Sequence, residues 1–338
     1  MSEPSPVPDP YALMGIIKNQ DGSITRDPTR FPRVPATPDP FPQVISKDVL
    51  VNPSNSTWMR LYVPTTALND SVSSKKLPLV LYYHGGGFIT CSFDLKLFHE
   101  FCNRLARECN VVVASASYRL APEFKLPAAY EDGVDALKCL RDSPHEWIKS
   151  YADISNVFLM GTNSGGNLAY NVGLGSAFAD LSPLRICGLI LHAPLFGGEE
   201  RCESELRHVD HQVFPLALTD LCWNLCLPDG ENRDHEYSNP TVGVGDVGPD
   251  DVMRRIERLG WKVMVIGDED LLLIDRQRDV ADLFKKKGVV VVERFTGDDG
   301  GAESTTLFAS IRNFIYSPPP LRFSLKEAYI NGPIAYDP

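Results

Sequence analysis

The sequence has no histidine after His235, no CxxC pair, no long apolar run and no surplus of basic residues. Each absence removes a class of function. Asp and Glu number 44 against 33 Lys and Arg, for a net charge of −11, and the pI is near 5.1. No broad positive field exists to attract nucleic acid or anionic lipid, so neither is expected as a partner. A helix needs about 20 consecutive apolar residues to cross a bilayer, and the most hydrophobic stretches, such as Val157–Met160 and Gly188–Leu191, have only the length of strands. Met1–Asp21 lacks a basic start followed by an apolar core, which argues against a signal peptide and makes the cytosol the expected compartment. The closest of the eight cysteines, Cys222 and Cys226, lie one helical turn apart in an apolar stretch. They read as small buried hydrophobes, and no disulfide, metal or cofactor is expected.

What the chain does have is 338 residues with 43% hydrophobic content, enough for a substantial core. Short β-rich apolar runs at Leu77–His84, Asn110–Ala116, Val157–Gly161, Cys187–His192, Lys262–Gly267 and Val289–Phe295 read as buried strands. Helical periodicity fills the gaps, at Asp94–Glu108, Ala129–Leu140, Ser164–Leu174, Asp275–Lys287 and Thr305–Phe314. Upstream, Ser46–Val51 and Thr57–Val63 flank the turn Asn52-Pro53-Ser54-Asn55, predicting an antiparallel pair at the sheet edge. An α/β domain results, with an eight-stranded, mostly parallel sheet flanked by helices. The stretch from His192 to Lys262 is too long for a simple connection and contains a helical pattern at Pro215–Cys226, which predicts a helical cap. Residues 1–316 are read as one domain, with 1–44 wrapping the surface or joining the cap, 197–255 as the cap insertion, and 317–338 as an irregular tail.

Two motifs stand out. His84-Gly85-Gly86-Gly87-Phe88 directly follows an apolar strand, where glycine lets the backbone approach a ligand and aim N–H groups at a developing oxyanion. Tyr118-Arg119-Leu120-Ala121-Pro122-Glu123, followed by Leu126-Pro127-Ala128-Ala129-Tyr130-Glu131-Asp132, leads from a strand into a helix. Its expected role is architectural, with a buried Arg119–Glu123 ion pair and Pro127 at the helix start.

In the order of these motifs, and in segments such as Arg233-Asp234-His235-Glu236-Tyr237-Ser238-Asn239-Pro240, the chain resembles the plant carboxylesterases of the hormone-sensitive-lipase branch over residues 10–316. That branch of the α/β-hydrolase fold includes gibberellin receptors and isoflavonoid dehydratases. The resemblance implies a Ser-His-Asp triad, and the sequence departs from it. The nucleophile elbow GxSxG reads Gly161-Thr162-Asn163-Ser164-Gly165, so Asn163 stands at the tip, and an amide is not an activatable nucleophile. Ser164, one residue later, reads as a polar residue at a helix start and only secondarily as a substitute nucleophile.

The family's base comes from the loop after the last strand, here Phe295 to Glu303, with Gly301 at the histidine position. Asp298, Asp299 and Glu303 read as a solvated acidic loop or, less simply, as a carboxylate base. The acid position, four residues before Asp275, is Leu271, and Asp270 is one residue off. His84 belongs to the oxyanion turn and His192 to a strand end.

The expected site is therefore Gly85, Gly86, Gly87, Asn163 and Ser164, with no intact catalytic residue and no metal. The expected ligand is a small carbonyl-containing molecule, with an unassigned protein partner left open. Three functions fit: a receptor-like binding protein, which is favoured; a non-hydrolytic eliminase, dehydratase or cyclase of plant specialised metabolism; and a weak or decayed carboxylesterase.

Overall fold

The strands at the centre of the sheet are those written almost wholly in apolar residues. In the computed structural model, which describes residues 9–37, 43–68, 75–242, 249–296 and 303–318, β5 (Leu77–Tyr83), β7 (Ala152–Thr162), β8 (Ile186–His192) and β9 (Lys262–Asp268) carry side chains buried on both faces, as a sheet covered by helices on each side requires. With β3 (Val44–Asn52), β4 (Thr57–Pro64), β6 (Val112–Ala116) and β10 (Val290–Thr296) they form one eight-stranded sheet in the order β10-β9-β8-β7-β5-β6-β4-β3. The six strands from β10 to β6 run parallel. β3 and β4 form the expected antiparallel edge pair, and the Asn52 side chain closes their turn by accepting the Ser54 N–H at 3.0 Å.

On one face lie α2 (Lys96–Cys109) and α10 (Glu303–Tyr316). α2 buries Phe98, Cys102, Leu105, Ala106 and Cys109, a three-and-four spacing that makes one apolar stripe. On the other face α5 (Ser164–Ser176) packs against β7, β8 and α3 (Ala128–Asp142). Each layer has its own apolar core. α9 (Ile274–Lys286) covers β9 and β10.

The long connection after β8 holds α6 (Glu203–Arg207), α7 (Leu216–Cys226) and α8 (Pro249–Leu259). α7 meets α1 (Pro10–Met14), so the N-terminal segment touches the cap, and α1 leads into a small hairpin of β1 (Ile16–Lys18) and β2 (Ile24–Arg26). α8 packs instead on α5, and its Arg255 Nε donates to the Ala177 carbonyl at 3.0 Å. α4 (Glu146–Tyr151) packs on β7.

The YRLAPE segment corrects one expectation. Arg119 does not pair with Glu123. Its Nε lies 2.9 Å from Asp132, whose carboxylate is buried, and its Nη2 donates to Glu131 at 3.0 Å. Glu123 is held instead by both Nη atoms of Arg26, each at 2.8 Å, and Arg26 also donates to the Ile89 and Ala121 carbonyls. The physical reason is reach: the β1–β2 hairpin delivers a cation from 97 residues away, while Asp132 sits where the Arg119 backbone N–H also donates to it, at 2.8 Å.

Candidate functional site

The elbow is built by glycines that no other residue fits. A Cβ on Gly161 would lie 1.9 Å from the Gly165 carbonyl oxygen, and one on Gly165 would lie 2.1 Å from that of Tyr83. Between them the chain turns from β7 into α5 through Asn163 at φ 54°, ψ −119°, a conformation that costs a non-glycine residue about 1–3 kcal/mol. The Asn163 N–H donates to the His192 carbonyl at 2.9 Å, and the Asn163 carbonyl accepts from Leu195, Gly166 and Asn167. These bonds hold the strained tip between the ends of β7 and β8.

The glycine turn packs as closely. Gly86 (φ 120°) and Gly87 (φ 62°) adopt backbone conformations that L side chains rarely take. A Cβ on Gly86 would lie 2.2 Å from the Thr90 carbonyl oxygen, and one on Gly87 would lie 2.3 Å from Cys222 Sγ. The cap helix therefore rests directly on the turn, beside Met14 of α1, and Trp223 places its ring 6.3 Å from that of Phe88.

The turn and the elbow meet in one contact: the Gly87 N–H donates to Asn163 Oδ1 at 3.3 Å. The Gly87 N–H, expected from the sequence to face a developing oxyanion, is thus taken by the Asn163 amide. Asn163 and Gly86 are partly exposed on this rim, whereas Gly85 is buried.

Ser164 is fully buried as the first residue of α5, and its Oγ lies 3.4 Å from the Tyr118 hydroxyl. Asp270 is exposed at the turn after β9, and its N–H bonds to the Asp268 carboxylate at 3.0 Å. Leu271 is partly buried in that turn. Asp275 accepts the Ser204 N–H at 2.7 Å, the Ser204 hydroxyl donates to the Leu272 carbonyl at 2.7 Å, and Arg276 pairs with Glu205 at 3.2 Å. The turn expected to bear a catalytic acid anchors the base of the cap. Sequence reasoning passed over Ser204, Glu205 and Arg276, which no local spacing marks. Gly301, Asp298 and Asp299 lie outside the described residues, as does the side chain of Glu303.

Two histidines flank the elbow, and burial pushes both down to about 4, so each ring is neutral near pH 7. His84 stacks on Tyr118 at 4.3 Å with Nδ1 2.8 Å from the Gly85 carbonyl. His192 has Nδ1 3.1 Å from the Thr162 hydroxyl. Two cavities of about 540 Å³ each lie elsewhere, one at the start of β5 beside Lys76 and Tyr316, the other between α3 and α5 beside Glu236. Neither is lined by the elbow or the glycine turn. No cluster of metal-ligating side chains occurs among the described residues, and no helix among them is long and apolar enough to cross a membrane.

The sequence profile of a family described as alpha/beta hydrolase fold matches residues 80–299. Carboxylesterase 20 of Arabidopsis thaliana is 60% identical over 329 residues, covering 94% of this chain and 99% of that protein. The chain belongs to the plant carboxylesterase family of α/β hydrolases. A more distant relative, gibberellin receptor GID1C of the same plant, is 32% identical over 81% of this chain and 79% of its own. Among solved structures, a fungal esterase from Rhizomucor miehei superposes with a TM-score of 0.68 over 81% of this chain and 82% of its own, at 18% identity, a likeness of fold. In this carboxylesterase-family chain the glycine turn and elbow backbone are present, with an amide at the tip.

Proposed function

We propose that this carboxylesterase-like protein binds a small molecule through a carbonyl or carboxylate group and does not form an acyl-enzyme. The observation that carries the reading is the contact between Asn163 Oδ1 and the Gly87 N–H at the tip of a strained elbow. An amide there cannot attack an ester carbonyl. With its oxygen held by the turn, it presents its Nδ2 hydrogens, as donors, to an incoming acceptor. Ser164 offers no rescue, being enclosed against Tyr118. Burial without a neighbouring base leaves a serine protonated and weakly nucleophilic.

An acceptor bearing a full charge gains about 1.5–3 kcal/mol per bond, against about 1 for a neutral one. An acid should therefore bind roughly tenfold better than its matched alcohol. Calorimetry with 4-phenylbutyrate and 4-phenylbutanol tests this, alongside an assay with an aryl acetate and a serine-directed phosphonate. The expected result is preferential binding of the acid, no hydrolysis above that of an unrelated protein, and no covalent adduct. Stoichiometric phosphonate labelling of Ser164 would restore the hydrolase reading. Asn163→Ser alone should also stay inactive, since the described residues bring no base to it, and robust hydrolysis by that variant would expose one.

A further inference from the structure

Beside the elbow runs a chain of three side chains that the triad scheme does not use. Tyr82 in β5 donates its phenol proton to Thr162 Oγ1 at 2.9 Å, and Thr162 Oγ1 lies 3.1 Å from His192 Nδ1. A threonine hydroxyl has one proton to give and two lone pairs. With the tyrosine proton received, Nδ1 is the acceptor in reach for the threonine's own proton. A threonine that gives its proton to Nδ1 puts the hydrogen of the neutral ring on Nε2. Thr162 and His192 are direct partners in the β7–β8 register, and the His192 carbonyl holds the Asn163 N–H. The imidazole therefore rides on the same two residues that fix the elbow tip. It stacks on Phe101 with the ring planes 13° apart, which sets its orientation. His84 is fully buried, whereas His192, like Asn163 and Gly86, keeps part of its surface exposed.

We propose that His192 is a ligand-reading residue of this site, fixed by Tyr82 and Thr162 as an Nε2–H donor that supplements the Asn163 amide in binding a carboxylate or carbonyl oxygen. The inference rests on the binding reading above and adds a residue to it. A ring kept neutral by burial donates without the pH dependence of an imidazolium, so the donor persists well below pH 7. An Nδ1–H ring would instead turn its acceptor outward and repel a carboxylate.

The tautomer is read in the ligand-free protein by long-range proton–nitrogen NMR correlation of the His192 ring, and binding by titration with 4-phenylbutyrate and 4-phenylbutanol. The expected results are an Nε2–H tautomer and a His192 ring signal that moves on adding the acid. In His192→Phe, which keeps the stack on Phe101, the Kd for the acid should rise about tenfold, while that for the alcohol stays within about twofold. His192→Gln, which restores a side-chain N–H, should recover part of the loss, and this guards against a variant that merely misfolds. An Nδ1–H tautomer, or acid binding by the wild type that neither His192 variant alters, overturns the role of His192 and leaves the binding reading standing. A wild type that binds neither compound removes both.

Discussion

Two turns at the same end of the sheet have fared differently, and the difference separates what backbone dictates from what side chains supply. At the elbow, Gly161 and Gly165 leave no room for a Cβ, and the chain between them takes a left-handed φ whatever residue stands there. At the β9–α9 turn nothing so strict applies. There Leu271 occupies the expected acid position, and the neighbouring Asp275 and Arg276 hold Ser204 and Glu205 of the cap. The shape of the elbow is thus set by close backbone contacts that are costly to alter, whereas the β9–α9 turn is set by what its side chains hold.

The sharpest way to break this contrast is to put a methyl group into the elbow. Gly165→Ala would set a Cβ 2.1 Å from the Tyr83 carbonyl oxygen and 2.5 Å from that of His84. Both are backbone atoms of the central strand and its turn, so relief means moving the sheet or the helix. A loss of about 4 kcal/mol or more is expected, read as a fall in the urea midpoint. Gly175→Ala, further along α5 with nothing within 4 Å of its Cβ, serves as the control. It should be neutral or stabilise by up to about 1 kcal/mol.

At the other turn, Glu205→Gln tests the cap anchor. Glu205 and Arg276 are both buried and paired at 3.2 Å, and leaving a buried charge without its partner costs about 3–5 kcal/mol. The expected loss is nearer the lower figure, since the Arg276 guanidinium keeps the Glu200 carbonyl. Trp223 in the cap should report the loosening by fluorescence before the sheet unfolds. A single transition with unchanged stability would mean the cap does not depend on this pair.

Much of this arrangement was legible in the sequence. Each β-rich apolar run became a strand, and the helical patterns became helices within a few residues of their expected ends. Strong periodicity makes that possible. What escaped was short or distant. α8 carries Val252, Met253 and Ile256 on one buried stripe, a readable signal submerged in the long cap connection. The Arg26–Glu123 pair was unreadable because it joins residues 97 positions apart, and spacing along a chain says nothing of partners delivered by a hairpin. The Asn163 tip was read from its glycine frame, whereas its bond to Gly87 depends on the meeting of two loops.

Acid offers a graded test of the histidines beside the elbow. The folded-state value of His84 is about 4 against an ordinary 6.5. Its contribution is complete above about pH 6.5 and is lost as the pH falls towards 4, because the unfolded chain takes up the proton first. The shift corresponds to about 3 kcal/mol. His192, held down to about 4 by the same burial, adds to the loss. Urea midpoints at pH 7 and 4.5 should differ accordingly, and His84→Gln should remove its own share of that difference. An unchanged pH dependence in the variant would place the loss elsewhere, among the carboxylates.

The smallest expected effect is the most telling about the elbow. Asn163→Gly removes the bond to the Gly87 N–H, a loss of about 1 kcal/mol, and relieves a backbone conformation that costs an asparagine about 1–3 kcal/mol. Stability should therefore rise slightly, by about 1 kcal/mol, while the preference for 4-phenylbutyrate over 4-phenylbutanol falls. Asn163→Ala keeps the strained conformation and loses the same bond, so it should be destabilised relative to the glycine variant by the strain alone. Thermal melts of the three proteins separate the terms. If the glycine variant gains stability and loses the acid preference, the elbow holds its strain in the service of binding. If it gains stability and binds the acid as before, Asn163 is a bystander on a scaffold that its flanking glycines alone maintain.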